Sequence, residues 1–256
     1  MGIKEYNQKV KIILSDKEFM RRGNAFFRVV GDGVLQIIKM EYEVHDGTHY
    51  LRFGLFSMYG EMEKRMFTGN GCIPNYYAME MVFPDYYCFP VGVGDFKVNT
   101  FRGKPSYIGS VKSVKESGHT AENFNKALQN ALEEMKRRLD PDVQFKYFIN
   151  ICLPKLDSIV TQENLYHSMQ MYSHTKKDYD MIFPLLCMGE REQALMILEH
   201  YLKIEAEALK KKPNSDITHY YYDRNTKIKE LITNSSDIKL TEYLQTNYEK
   251  NFSYYC

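Results

Sequence analysis

The sequence predicts an α+β fold in which an N-terminal helix and an antiparallel β-meander sheet are followed by a C-terminal helical array. Three observations carry that expectation. Between Ala25 and Ser57 apolar residues alternate with period two and glycines punctuate the runs, which is the pattern of half-buried antiparallel strands. From Thr120 onward the apolar spacing widens to about 3.6 residues, the period of an amphipathic helix. With 256 residues, 44% of them hydrophobic and 26% charged, the chain is long enough to bury a core beneath both parts. The expected organisation is an α+β sheet domain over residues 1–118 and an α-helical region over 119–256, packed on the sheet or forming a second subdomain.

The elements follow in order. In Ile3–Leu14 the residues Tyr6, Val10, Ile13 and Leu14 stand at helical spacing, so a short helix packs on the sheet and ends at Ser15-Asp16. Ala25–Val30 is the first strand, Gly31-Asp32-Gly33 supplies the positive φ of a tight turn, and Val34–Val44 is the second strand. Along it Val34, Gln36, Ile38, Met40, Tyr42 and Val44 share the better core face, while Leu35, Ile37, Lys39, Glu41, Glu43 and His45 share the other. Asp46-Gly47 is a second turn signal, after which His49–Ser57 brings Leu51, Phe53 and Leu55 onto one face. Residues 58–118 are dense in Gly, Pro and Tyr; short strands are expected at Val91–Phe101 and Ser106–Val114, with Arg102–Pro105 as the turn.

In the helical half Phe124, Leu128, Ala131, Met135 and Leu139 form an apolar stripe. Asp140-Pro141-Asp142 restarts a helix, because Asp caps an N-terminus and proline fits its first position. Pro154 costs about 3 kcal/mol in a helix interior, which predicts a kink or break there. Thr161, Thr175 and Glu190 mark three further starts, and Gly189 is placed to cap the helix before the last of them. Tyr179–Met188 and Glu190–Lys211 read as a helical hairpin, with Ala194, Leu198, Tyr201, Leu202, Glu205 and Leu209 along its second member. No second copy recurs at a fixed period, so a solenoid is not expected. Two closing helices are expected over roughly Asp223–Thr233 and Asp237–Asn251.

Composition narrows the function classes. Thirty-four basic residues against thirty-three acidic ones leave a formal charge of +1, which favours neither a polyanion nor a membrane surface as partner. The chain has no apolar run of about 18 residues, and its first residues lack the apolar stretch of a signal peptide, so a cytoplasmic protein with no membrane contact is expected. Its five cysteines, Cys72, Cys88, Cys152, Cys187 and Cys256, are odd in number and widely spaced, which suits free thiols better than a disulfide framework or a zinc site. Gly92-Val93-Gly94 lacks the rest of a dinucleotide fingerprint, and neither a P-loop nor a Gly-x-Ser-x-Gly elbow occurs. No cofactor and no metal are expected.

Three groups of residues carry candidate chemistry. Glu41, Glu43 and His45 share a strand face near a turn that can return His49 beside them, a set able to hold a divalent metal or an acid–base pair; the plainer reading is a solvated hairpin tip. Arg28, Lys39, Glu41 and Arg52 lie across the charged sheet face in a simple register and form a candidate site for a small anionic ligand, against ordinary cross-strand charge pairing. Arg21 and Arg22 extend this strip and sustain a weaker nucleic-acid reading, which the near-zero net charge opposes. The doublets Tyr76-Tyr77 and Tyr86-Tyr87 make an aromatic-rich segment suited to anchoring a protein partner, unless the rings simply cover the sheet. Cys72 and Cys88 have only His119 near them as a base, which disfavours a Cys-His enzyme.

The stretch Phe19-Met20-Arg21-Arg22-Gly23-Asn24-Ala25-Phe26-Phe27-Arg28, followed by Gly31-Asp32-Gly33-Val34-Leu35-Gln36-Ile37-Ile38, resembles the opening of the bacterial domain-of-unknown-function family 4304. Glu18-Phe19 stands where that family has Gly-Phe, and the strand after Ile38 departs from its pattern. The resemblance covers about the first 115 residues. It implies a fold and a bacterial cytoplasmic setting, and it supplies no catalytic residues. The functional expectation is a non-catalytic protein-binding module of an immunity-like or inhibitory kind. The alternative is an enzyme or small anionic-ligand binder on the charged sheet face. The oligomeric state stays open.

Overall fold

The computed structural model describes residues 1–43, 48–67, 91–93, 96–101, 104–108, 140–172 and 179–256. The fold is α+β: an N-terminal helix, a four-stranded antiparallel sheet and a C-terminal helical array. Helix α1 (Ile3–Asp16) buries Tyr6, Val10 and Leu14 on the core side. Strands β1 (Met20–Arg22), β2 (Ala25–Val30), β3 (Val34–Glu43) and β4 (Thr48–Ser57) follow in the order β1-β2-β3-β4. The last three are the predicted meander; β1 is an addition, and its three residues are too short for alternation to show. Gly31 and Gly33 take φ values of 52° and 93° in the turn before β3. At Gly31 a Cβ would sit 1.8 Å from the Val160 carbonyl oxygen, so glycine is required there both by φ and by the closeness of the chain.

Over Val34–Ile38 both faces of this sheet are buried, and here the structure corrects the sequence. On one face Phe26, Val34, Ile38, Leu51, Phe53 and Leu55 join α1 and the helices that follow residue 140 in one core. On the other, where an exposed charged face was expected, Leu35 and Ile37 are fully buried with Ala25, Phe27, Phe56, Met58, Met62 and Phe67. Tyr248, Tyr254 and Tyr255 of the last helix cover this second cluster. That helix runs four residues beyond its expected end at Asn251, and Arg22 donates to the Phe67 (3.2 Å), Tyr254 (2.7 Å) and Tyr255 carbonyls, holding its final turn against the sheet edge.

A second antiparallel sheet comprises β5 (Val91–Val93), β6 (Phe96–Phe101) and β7 (Lys104–Ile108) in that order. The expected run over Val91–Phe101 is thus two strands, and Lys104 and Pro105 pair with Phe101 and Thr100 as part of β7, where a turn was expected. The apolar stripe Phe124–Leu139 lies outside the described residues.

Helix α2 (Pro141–Tyr147) begins as predicted, with the Asp140 carboxylate accepting from the amides of Asp142 (2.8 Å) and Val143 (3.2 Å). The disturbance expected at Pro154 takes the form of a π-helical turn over Phe148–Cys152 that leads directly into α3 (Leu153–Asp157). A proline lacks the amide and crowds the carbonyl four residues back; a wider turn just before it relieves both problems without ending the helix. Helix α4 (Gln162–Tyr172) starts at Thr161, whose hydroxyl accepts from Asn164 N at 3.1 Å. After a short 3₁₀ turn at Tyr179–Met181 come α5 (Ile182–Cys187) and α6 (Arg191–Lys211), the predicted hairpin. Gly189 at φ 82° joins them, with Gly189 N donating to Leu186 O and Glu190 N to Leu185 O. Helix α7 (Asp216–Asn234) starts seven residues earlier than expected, capped by Ser215, and α8 (Asp237–Tyr255) is capped by Ser236. Thr175 falls outside the described residues. No helix among the described residues is long and apolar enough to cross a membrane.

The sheet is locked to the helices by a buried polar clamp. Gln36, fully buried, donates to the carbonyls of Leu156 (2.8 Å) and Ile159 (3.1 Å), and its Oε1 accepts from Arg28 Nη2 (2.7 Å) and Nε (3.3 Å). Arg28 continues to Asp157 Oδ1 at 2.8 Å and to Lys17 O at 3.2 Å, and lies 4.5 Å over the Phe19 ring. Burial alone would raise the Asp157 carboxyl; the bonds from Lys17 and Arg28 outweigh it and hold the group below its ordinary value. Arg28→Met is expected to lower the unfolding free energy by about 2–4 kcal/mol in urea titrations at pH 7, because Gln36 Oε1 loses its donor and Asp157 keeps only Lys17. The Asp157 contribution is present above the unfolded carboxyl value of about 3.9 and disappears as pH falls through the lower folded one. The stability gap between the wild type and Asp157→Asn should therefore shrink as acid titrations pass below about pH 4.

Candidate functional site

A second constellation of polar side chains forms where β4 ends. The segment Met58–Glu63 has no partner strand among the described residues; Met58 N donates to Gly33 O at 2.8 Å, and α8 holds the rest. Asn251, fully buried, donates to the carbonyls of Met58 and Gly60, both at 2.7 Å, and Asn247 donates to Tyr59 O at 3.2 Å. One turn earlier Tyr243 donates to Glu61 Oε1 at 2.8 Å. Leu240, Leu244, Asn247 and Asn251 occupy one stripe of α8, so two asparagines continue its apolar face and replace packing with hydrogen bonds to chain that has no ladder.

This anchoring sets Glu61 at the edge of a cavity of about 390 Å³ between the Ser57–Glu63 segment, the Tyr179–Met181 turn and helices α5, α6 and α7. Its walls are aromatic, with Phe56, Phe183, Tyr179, Tyr201 and Tyr221, and it also holds Glu63, Asp180, Glu205, Arg224 and Asn225. The Arg224 guanidinium lies 4.7 Å from the Tyr179 ring centre and 4.9 Å from that of Tyr221. Arg224 Nε is 3.6 Å from Glu61 Oε2, and Nε and Nη2 both donate to Asn225 Oδ1 at 3.3 Å. Asn225 Nδ2 in turn donates to Glu205 Oε1 at 2.8 Å. A relay thus runs from Glu61 through Arg224 and Asn225 to Glu205, each member oriented by the one before.

Two oxygens of residues that line this cavity stand outside the relay. Glu205 Oε2 and the Tyr179 hydroxyl are buried and have no hydrogen-bond partner among the described residues. Burial pushes the Glu205 carboxyl above its ordinary value, while the Asn225 bond and the Arg224 charge pull the other way. Burial likewise pushes the Tyr179 phenol up. Among the described residues no group of three or more His, Cys, Asp or Glu side chains is placed to hold a metal ion.

Of the residues singled out from the sequence, the register separates Arg28 from Lys39. Arg28 pairs with Gln36, whereas Lys39 pairs with Arg52 and Glu41 with Tyr50. Alternation along β3 sets positions 36 and 39 on opposite faces, so Arg28, which pairs with Gln36, lies on the other side of the sheet from Lys39. The expected common face misassigned Arg28, because its partner is the buried glutamine of the core face. His49 pairs with Tyr42 in β4, and His45 lies outside the described residues. Tyr76, Tyr77, Tyr86 and Tyr87, with Cys72, Cys88 and His119, also lie outside them. Arg21 donates to Gly23 O at 3.0 Å, and Arg22 is engaged with the end of α8. Cys152, Cys187 and Cys256 are free thiols; burial raises the first and pushes the second up to about 12, which keeps both protonated at neutral pH.

The cavity residues were missed because they come from four distant parts of the chain. A signal was present in the stripe of α6, where Glu205 takes an apolar position, and in α7, where Asn225 shares a buried face with Ile228 and Ile232. No family model, curated protein or solved structure matches the chain.

A carboxyl raised in the folded state binds its proton more tightly than in the unfolded chain, so stability falls as pH rises from the ordinary glutamate value of about 4.3 through the raised one. Glu205→Gln removes that loss while keeping an acceptor for Asn225. Its melting temperature should exceed the wild type's at pH 7, and thermal scans at about pH 4 should bring the two together.

Proposed function

We propose that the protein is a non-catalytic binding module of the immunity-like or inhibitory kind, and that it engages a protein partner through the N-terminal half of α7 and the cleft beside it. The observation that carries this reading is the exposure of three large side chains on one turn of α7: Ile217 at 71%, Tyr220 at 63% and Tyr221 at 39%. Positions 217, 220 and 221 share one helix face. Tyr220 and Tyr221 meet edge to face with ring centres 5.4 Å apart, and Tyr221 also forms a wall of the cavity. An exposed aromatic ridge opening onto a pocket is the arrangement in which a few anchors dominate a protein interface, because tyrosine brings large contact area at small entropic cost.

The aromatic-anchor argument made for Tyr76, Tyr77, Tyr86 and Tyr87 applies to this ridge with positions in view. The rival ligand site on the sheet loses support, since the Arg28 guanidinium is engaged by Gln36, Asp157 and Lys17. Register also sets Arg28 on the face opposite Lys39, so these two cations do not act together on one anion.

The test is a matched set of variants against a partner captured by the wild-type protein. The double change Ile217→Asp with Tyr220→Ala should weaken that complex at least tenfold, about 1.4 kcal/mol. Ile238→Asp, at an exposed site at the start of α8, should leave it unchanged. Equal retention of the partner by all three proteins in calorimetry would remove α7 as the recognition face.

A further inference from the structure

We propose that the second half of α8, residues 247–255, is a latch: it opens from the sheet as one unit about the first half, with the rest of the fold intact, and its opening frees the wall of the cleft beside α7. The link to the cleft rests on the binding reading above; the opening itself does not.

The two halves of α8 are held by different forces. In the first, Leu240 and Leu244 are buried in the main core. Arg191 pins the entry to the helix, with an ion pair to Asp237 at 2.7 Å and a hydrogen bond donated to Ser235 O at 3.2 Å. In the second half no apolar side chain is fully buried. Its inward positions are Asn247 and Asn251, which donate to the carbonyls of Tyr59, Met58 and Gly60. Tyr248, Tyr254 and Tyr255 lie over the second core cluster yet stay partly exposed, and Phe252 is 41% exposed.

A surface of this kind separates into water more readily than an apolar one. When an amide–carbonyl bond opens, both groups take hydrogen bonds from water, so little of its strength is lost; when hydrocarbon is uncovered, nothing replaces the contact. Asn251 adds a specific drive. Its Oδ1 is buried in the closed helix with no hydrogen-bond partner among the described residues, and opening exposes it to water. The opposing force is the cluster of Phe27, Leu35, Ile37, Phe56 and Phe67, which loses the cover of three tyrosines as the latch lifts. Arg22 completes the catch through the Tyr254 and Tyr255 carbonyls.

The chain that the latch holds leads into the wall of the cleft. Gly60 and Glu61 line the cavity, and the Tyr59 ring lies 5.2 Å from that of Tyr248. With the latch closed, three consecutive carbonyls before Glu61 are fixed from α8. With it open, the bond from Tyr243 to Glu61 is what α8 still supplies, because Tyr243 belongs to the first half. A partner that fits the cleft with its wall in place therefore binds the closed form more tightly and favours closure, a coupling that runs in both directions.

Amide hydrogen exchange of the full chain, followed by NMR across low urea concentrations, is the test. The amides of residues 247–253 are expected to share one protection, at least about a hundredfold below that of Ile37 and Ile38 in β3, with a smaller but non-zero dependence on urea. The Gly60 amide should follow them. Val10→Ala, in α1 and the main core, should lower protection at Ile37 and Ile38 about tenfold or more and leave residues 247–253 unchanged, because Val10 stays packed when the latch opens. Asn247→Ala should lower protection of residues 248–253 about fivefold. Exchange of the second half at the protection and urea slope of β3 overturns the latch. Protection that falls residue by residue toward Tyr255 without urea dependence is fraying of the helix end, and overturns it equally. A Gly60 amide that stays protected while residues 247–253 open overturns the link to the cleft. The α7 variants read partner affinity and decide the binding reading separately.

Discussion

A glutamine buried in the middle of a strand must find partners for an amide with two donors and an acceptor, and the rest of the architecture depends on how Gln36 does so. Its amide nitrogen reaches two carbonyls at the end of α3, and its oxygen takes two bonds from Arg28. Arg28 then bridges to Asp157 on the same helix and to the chain just after α1. One side chain therefore fixes three elements in register: the central sheet, the first helix and the first part of the helical array. An apolar residue at 36 would pack, but it would leave the angle between sheet and helix to shape alone. A second tie lies close by, where Asp32 N donates to Val160 O and Gln162 donates back to Asp32. The close approach of chain to chain there is what makes Gly31 obligatory.

With the helices placed by that clamp, the remaining apolar face of the sheet needs a cover, and α8 provides it from the far end of the chain. This accounts for the parts of the fold that were legible and those that were not. Alternation in β2, β3 and β4 is a local property of ten residues or fewer, and the glycines at 31 and 33 mark their own turn, so the meander could be read directly. The capping residues Asp140 and Thr161 and the glycine at 189 are equally local. The burial of Leu35 and Ile37 is different, because it is decided by Tyr254 and Tyr255 some two hundred positions away. The start of α7 was hidden for the opposite reason: Ile217, Tyr220 and Tyr221 face solvent, so its first two turns have no inward stripe.

The cleft was the least legible part, and its construction explains why. Glu61 is where it is because Asn251, Asn247 and Tyr243 hold a segment that lacks a ladder of its own. Arg224 and Asn225 lie one after the other on α7, yet their side chains connect Glu61 to Glu205, residues 144 positions apart. Periodicity can show that a polar residue sits where packing would want an apolar one, as at 205 and 225. It cannot show that two such misfits on antiparallel helices face each other, nor that a loop after β4 closes the space between them.

Holding charged groups in that space follows from the same physics that makes the clamp at Gln36 stable. In the clamp every polar atom of Gln36 named here has a partner, and the result is rigid and structural. In the cleft the relay from Glu61 to Glu205 also satisfies its members, but it ends on a carboxyl oxygen that nothing in the described chain meets. Burial disfavours the charged form of that carboxyl, and an acid left to titrate alone would be a net cost to the fold. A packed aliphatic at 205 would remove the cost and continue the stripe of α6.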